Sequence, residues 1–206
     1  MSAADRSERD GPPADPRTAP LDPARAARIR ELLPEIDAIE NPAWREATVR
    51  IWDRMWAAGA WADPADCPKS AKDVHDSSNV THTRSVLAQA LATAAIVRDA
   101  HGAEIDLDVL RTGALLHDVS KLVEYEPGPD GPRPSRSGRL VQHGVLAAGM
   151  AAEHGLPPEV LHILVCHTHL SATKPQTMEA IVIHYVDFLD SDVLLLQRNR
   201  PLFAKA

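Results

Sequence analysis

Six residues able to donate lone pairs to a metal ion lie along the chain in a regular order: His82, the dipeptide His117-Asp118, His143, His167 and Asp187. His82 precedes the dipeptide by 35 residues, and the later three follow at intervals of 25, 24 and 20. Each interval fits one helix plus a connection, and each of the six falls in a stretch with helical apolar periodicity. A helical bundle aims side chains from separate helices at one internal site in this way. Imidazole and carboxylate together suit first-row ions such as iron, manganese, cobalt or zinc, and the donor types do not choose among these. Any one of the histidines, or a lone His-Asp dipeptide, is as readily explained by core packing. Six of them on five successive helices are not. Asp187 adds a separate argument, because it lies among Ile181, Ile183, Val186 and Leu189. Burying an unpaired carboxylate costs several kcal/mol, so a cation or donors must face it.

The elements that would position this set read as helices throughout, an all-α fold. Residues 1–20 are charged and proline-rich with almost no large apolar groups, a composition that predicts a disordered tail. Residues 21–75 predict an N-terminal helical hairpin extension. Asp22 caps its first helix with Pro23 in the first position, and Asn41-Pro42 starts a second. Trp44, Trp52 and Trp56 on that second helix are read as packing the hairpin onto the main body.

Residues 76–206 then form the metal-binding domain. Its first helix runs from about Asn79 to a glycine stop at Gly102, and Asp106 caps the next, which carries His117-Asp118 near its C-terminal end. Residues 124–139 (EYEPGPDGPRPSRSGR) break all periodicity and predict a mobile loop. Helix returns at about 140–154, a short helix opens at Pro157-Pro158 and ends near His167, and a nearly all-apolar one runs from about 176 to 199. The lack of a polar face on the last predicts a central, buried helix. No strand is expected.

The length of 206 residues fits one medium domain with an appendage. A net charge of −7 opposes non-specific binding to nucleic acid, because no basic excess exists to displace counterions from phosphates. No apolar run approaches the ~20 residues of a spanning helix, and the polar, proline-rich start does not read as a secretory signal. Cys67 and Cys166 cannot make a disulfide framework. These features together predict a cytoplasmic protein without a membrane partner. Oligomeric state is not readable from the sequence.

The remaining histidines default to plainer roles. His184, one turn before Asp187, is expected to hydrogen-bond a ligand rather than bind metal. His169 competes with His167 for one ligand place in Cys166-His167-Thr168-His169, where Cys166 itself reads as a small buried hydrophobe. His101 and His154 look like helix-end residues, His162 is expected on an exposed face, and His75 in a loop.

With these residues in place, the chain resembles the HD-domain superfamily of metal-dependent phosphohydrolases over about residues 78–195. The run Leu115-Leu116-His117-Asp118-Val119-Ser120-Lys121 is similar to that family's signature, and the Cys-His-Thr-His segment resembles its fourth histidine region. The resemblance implies an HD-domain helical bundle with His82, His117, Asp118 and Asp187 on one metal. In the branch with two ions it implies His143 and His167 on the second, with Asp118 bridging. It also implies hydrolysis of a nucleotide or another small phosphorylated substrate. Small bacterial members that hydrolyse dinucleoside polyphosphates are similar in helix spacing. Nothing in residues 21–75 is something such proteins require.

Two divalent ions on such a set would lower the pKa of a shared water and supply a nucleophile for in-line attack on phosphorus. Lys121, one turn beyond the pair, is then the residue to bind substrate and neutralise charge developing on the phosphoryl group. Arg133, Arg136 and Arg139 in the 124–139 segment could grip phosphate as a loop closes. A solvated lysine and a loop without function are the plain alternatives. Two other functions share the scaffold: a mixed-valence di-iron oxygenase cleaving a C–P or C–C bond, and a non-catalytic nucleotide-binding regulatory module.

Overall fold

The computed structural model describes residues 20–203, with Asp15 and Thr18. Most of the expected tail over residues 1–20 lies outside the described residues.

Several helices begin where the sequence supplies a side-chain cap. Asp22 Oδ1 accepts from Ala24 N and Arg25 N at the start of α1 (Pro23–Leu32). Asn41 does the same for α2 (Pro42–Ala58), Ser78 for α3 (Asn79–His101) and Asp106 for α4 (Leu107–Leu116). The last turn of α3 closes on Gly102 at φ 66°, a left-handed conformation that glycine adopts without cost. Then follow α5 (Lys121–Glu124), α6 (Arg136–Leu140), α7 (His143–Glu153), α8 (Pro158–Cys166) and α9 (Met178–Gln197). Among the described residues there are also two small antiparallel pairs: β1 (Pro68–Ser70) with β2 (Val74–Ser78), and β3 (Tyr125–Glu126) with β4 (Arg133–Pro134).

One continuous apolar core joins these elements. Leu87, Ala90, Leu110, Leu115, Ile163, Leu164 and Ile183 fill its centre, and Ile29, Leu33, Ile36, Ile51 and Trp52 extend it under α1 and α2. Trp52 is fully buried and its Nε1 donates to Leu115 O at 3.0 Å, two residues before His117. An indole removes about 200 Å² from water, worth up to about 5 kcal/mol. The tryptophan anchor therefore ties the hairpin to the helix that presents the dipeptide. On the other side, a Cβ at Gly144 would stand 2.4 Å from Leu164 O. Only glycine lets α7 and α8 approach so closely, and that approach brings His143 beside His167.

Several sequence expectations are corrected. Strands are present, but at two to five residues they are too short to show a period-two pattern. Residues 124–139 are a hairpin and a short helix, not a structureless loop. Ser135 Oγ donates to Val123 O at 2.6 Å and Ser135 N to Glu124 O at 2.8 Å, local bonds that no periodicity reports. The helix expected from 140 is broken at Val141-Gln142, so α7 starts at His143 itself. Helix α9 is not buried all round: Ala180, Ile183, Asp187 and Ser191 face inward, while Ile181, Tyr185, Leu189 and Leu196 are exposed. Apolar composition allows burial without requiring it. His162 is half-buried rather than exposed and accepts from Gln176 N, and His75 lies in β2 rather than a loop; His154 ends α7 as expected, buried with Nε2 3.1 Å from Arg54 Nη1. Among the described residues, no helix is long and apolar enough to cross a membrane.

Candidate metal centre

Five elements bring the six residues to one buried place. His82 comes from α3 and Asp187 from the middle of α9; His143 opens α7, and His167 caps the end of α8. His117 and Asp118 stand just past α4 rather than within it, in a tight turn where Val119 N bonds Leu116 O and Lys121 N bonds Asp118 O. Asn79 Nδ2 fixes that turn by donating to Asp118 O at 3.0 Å, and Ser120 Oγ donates to His143 O at 2.7 Å.

The Asp118 carboxylate divides the six into two groups that share it. Its Oδ2 lies 3.5 Å from His82 Nε2 and 3.7 Å from His117 Nε2. Its Oδ1 lies 3.4 Å from His143 Nε2 and 3.6 Å from His167 Nε2. Asp187 Oδ1 joins the first group, 3.0 Å from His82 Nε2 and 4.0 Å from His117 Nε2. His82, His117 and Asp118 offer ligand-type atoms that all lie within 4.8 Å of one another, and so do Asp118, His143 and His167.

Hydrogen bonds on the far side of three rings assign their tautomers. His82 Nδ1 lies 2.6 Å from Asp190 Oδ2, His117 Nδ1 2.7 Å from Ala114 O, and His167 Nδ1 2.9 Å from Leu164 O. Carbonyls and carboxylates only accept, so each Nδ1 carries the hydrogen, and in the neutral ring each Nε2 presents a lone pair inward. His82 Nε2 and His117 Nε2 face each other at 3.2 Å. Two lone pairs at that distance call for a cation against them; Lys69 Nζ lies 2.7 Å from His82 Nε2, and a metal ion fits the same donors.

The surrounding charges agree. Desolvation pushes the Asp118 carboxyl up, but Lys121, Lys69 and His117 outweigh it and hold the pKa well below the usual carboxylate range. Asp187 behaves alike, with Lys69 and His82 offsetting its burial. Burial presses the His117 imidazole down to about 4, and burial with Lys121 presses His143 well down. All of these favour the metal-binding protonation states at neutral pH.

A pH dependence follows for protein stripped of metal. An unfolded histidine takes up its proton near 6.5, whereas folded His117 resists until about 4. The unfolded chain therefore binds more protons in that interval, and stability, full above pH 6.5, falls as pH drops toward 4. Chemical denaturation between pH 7 and 4 should lose on the order of 3 kcal/mol through His117 alone. The depressed Asp118 and Asp187 add their loss at lower pH. A flat profile between pH 7 and 4 would contradict a neutral, buried imidazole.

Lys121 is buried, which removes the solvated-lysine alternative. Its Nζ lies 3.0 Å from Glu124 Oε2, 3.9 Å from Asp118 Oδ1 and 5.2 Å from the Tyr125 ring centre. With Asp118, His143, His167, Tyr125 and Lys69 it lines a cavity of about 280 Å³. His184 Nδ1 sits 3.1 Å from Cys166 O and 3.0 Å from His167 O, and steadies the backbone that carries His167. His169 is exposed at the cavity rim, stacked on Phe203 at 4.3 Å, and belongs to neither donor group.

None of the three arginines lines this cavity. Arg133 pairs with Glu126, Arg139 donates to Pro134 O, and Arg136 faces a separate cavity beside Met150 and Glu153. Folding of residues 124–139 into a hairpin and helix engages two of them locally and turns the third away.

Three residues at the centre went unread in the sequence. Asp190 and Glu124 had a usable signal, each one turn after a named residue, Asp187 and Lys121. Lys69 had none. It arrives from β1, inside the segment in which no requirement was seen, and its Nζ lies 3.0 Å from Asp118 Oδ2 and 3.3 Å from Asp187 Oδ1.

Comparison with known proteins agrees with this geometry. The HD domain family matches residues 79–192. This chain belongs to the HD domain family. Among curated HD relatives, it is 34% identical over 116 residues to a dihydroneopterin 2',3'-cyclic phosphate phosphodiesterase of Methanocaldococcus jannaschii, covering 55% of this chain and 46% of that one. It is 30% identical over 147 residues to the 3'-5' exoribonuclease YhaM of a Geobacillus species, covering 65% and 44%. It is 32% identical over 83 residues to ribonuclease Y of a Roseiflexus species, covering 40% of this chain and 13% of that one. The chain thus spans less than half the length of these relatives. No solved structure matches it.

Proposed function

We propose that the protein is a metal-dependent phosphohydrolase that cleaves a phosphoester bond in a small, nucleotide-like substrate. In this reading His82, His117, Asp118 and Asp187 hold one divalent ion, and Asp118, His143 and His167 hold a second. The observation that carries it is the Asp118 carboxylate with one oxygen turned to each histidine pair. When bound, two such ions supply Lewis-acid activation of water and neutralise charge on phosphoryl oxygens.

The chain's own groups supply the rest. Asp190 and the carbonyls of Ala114 and Leu164 orient the rings. Glu124 holds Lys121, whose ammonium faces the cavity from the Asp118 Oδ1 side and is placed to donate to a phosphoryl oxygen. A cavity of about 280 Å³ is at the small end of ligand sites and suits a phosphate with an adjoining sugar or similar group. The three relatives are named as phosphodiester-cleaving enzymes, which supports hydrolysis over oxygenation. The assignment of residues 76–206 to the HD domain and 21–75 to a helical extension belongs to this proposal. So does a cytoplasmic location, which the buried free thiols Cys67 and Cys166 suit.

The test is an assay of metal-stripped protein reloaded anaerobically with Mn²⁺, Fe²⁺, Co²⁺ or Zn²⁺. Bis(p-nitrophenyl) phosphate and 2',3'-cyclic nucleotides serve as probes, and oxygen uptake is followed in parallel after exposure to air. Metal-dependent ester cleavage without oxygen consumption is the expected result. Oxygen consumption without cleavage would favour the di-iron oxygenase, and nucleotide binding without turnover the regulatory module.

A further inference from the structure

Lys69 reaches the metal centre from outside the matched HD segment. The β1–β2 pair holds it there, with Pro68 opposite Ser78, Ser70 opposite Val74, and Asn79 N donating to Cys67 O at 2.8 Å. Its side chain is 10% exposed, and its Nζ lies 2.7 Å from His82 Nε2 besides its contacts with Asp118 and Asp187. The His82 Nδ1 hydrogen is committed to Asp190, so Nε2 offers a single in-plane lone pair. Lys69 donates into that lone pair. A metal ion on His82 uses the same one.

The Lys69–His82 bond and a metal–His82 bond therefore exclude each other. A dication would also repel the ammonium across a few ångströms of low-dielectric interior. Asp118 and Asp187, which hold the lysine by charge, are the carboxylates the metal would claim. We infer that Lys69 is an internal competitor for the ion at His82, His117, Asp118 and Asp187, and that metal entry drives its side chain outward into the mouth of the cavity. There it joins Lys72 on the cavity wall. The inference rests on the metal-centre reading above and adds regulation of that site: ion uptake is gated by a lysine on the N-terminal side of the domain, and an arm of the chain senses metal loading.

Two measurements on full-length protein test it, neither of which reads activity. Calorimetric titration with Mn²⁺ should give tighter binding of one equivalent in Lys69→Met than in wild type, by about tenfold or more. Acetylation of wild-type protein, read by mass spectrometry, should modify Lys69 faster with Mn²⁺ than with chelator, relative to the exposed Lys174. Equal or weaker Mn²⁺ binding in Lys69→Met overturns the inference while leaving the metal centre standing. Equal shielding of Lys69 with and without Mn²⁺ does the same, and decides the matter should the variant fail to fold. Failure of both proteins to take up Mn²⁺ overturns the metal centre and the inference together.

Discussion

Asp118→Asn should lower the rate of phosphoester cleavage by about a thousandfold or more and reduce metal content below that of wild type. Among the described residues, the carboxylate is the one side chain that turns an oxygen toward each of the two histidine pairs. An amide keeps one of those oxygens and replaces the other with an NH₂ group, which cannot ligate. It also removes the charge that Lys69 and Lys121 face at 3.0 and 3.9 Å. Breaking a buried ion pair by removing one partner costs about 3–5 kcal/mol. Stability should therefore be measured beside kcat and elemental analysis, so that loss of fold is not mistaken for loss of chemistry. A folded Asp118→Asn protein that retains the wild-type rate would remove Asp118 from the reaction.

Metal removal is the second large effect. An ion that binds only the folded state stabilises it by about 4 kcal/mol when supplied at a thousand times its Kd. Chelation should accordingly abolish hydrolysis and lower Tm, and added Mn²⁺ should restore both. The two groups should separate under mutation. His143→Ala should lose one equivalent and keep the ion at His82 and His117, whereas His117→Ala should lose the other. Loss of both equivalents from either variant would mean a single coupled site rather than two groups sharing Asp118. An unchanged Tm on full metal removal would mean the cluster is held by its own hydrogen bonds and ion pairs.

The resemblance of the HD segment rested on side chains whose chemistry is rare in a core, so the sequence exposed it directly. His82, His117, Asp118, His143, His167 and Asp187 are polar groups at apolar positions of successive helices, and the structure draws all six together. The helix starts were legible for a local reason: Asp22, Asn41, Ser78 and Asp106 each cap the turn that follows them. Trp52 was legible as an anchor, because an indole of that size must find a core.

Other features depended on distant partners. The fold of residues 124–139 is set by single bonds from Ser135 to Val123 and Glu124, and a helix-period pattern carries no trace of them. The outer face of α9 is exposed because no other described element packs across it, which its apolar composition could not reveal. Arg133, Arg136 and Arg139 looked like phosphate ligands from their residue type and lie away from the cavity.

By itself, then, the sequence determined most of the longer helices, their side-chain caps and a set of candidate donors, because periodicity, capping and lone-pair chemistry are carried by near neighbours and residue type. Tertiary structure alone decided that one carboxylate faces both histidine pairs and that Asp190 lies against His82 Nδ1. It also decided that Lys69, 13 residues before His82, donates to the nitrogen a metal would use. Those are distances between side chains on separate elements. They come into existence only when the core closes and brings α3, α9 and the β1–β2 arm within hydrogen-bond reach.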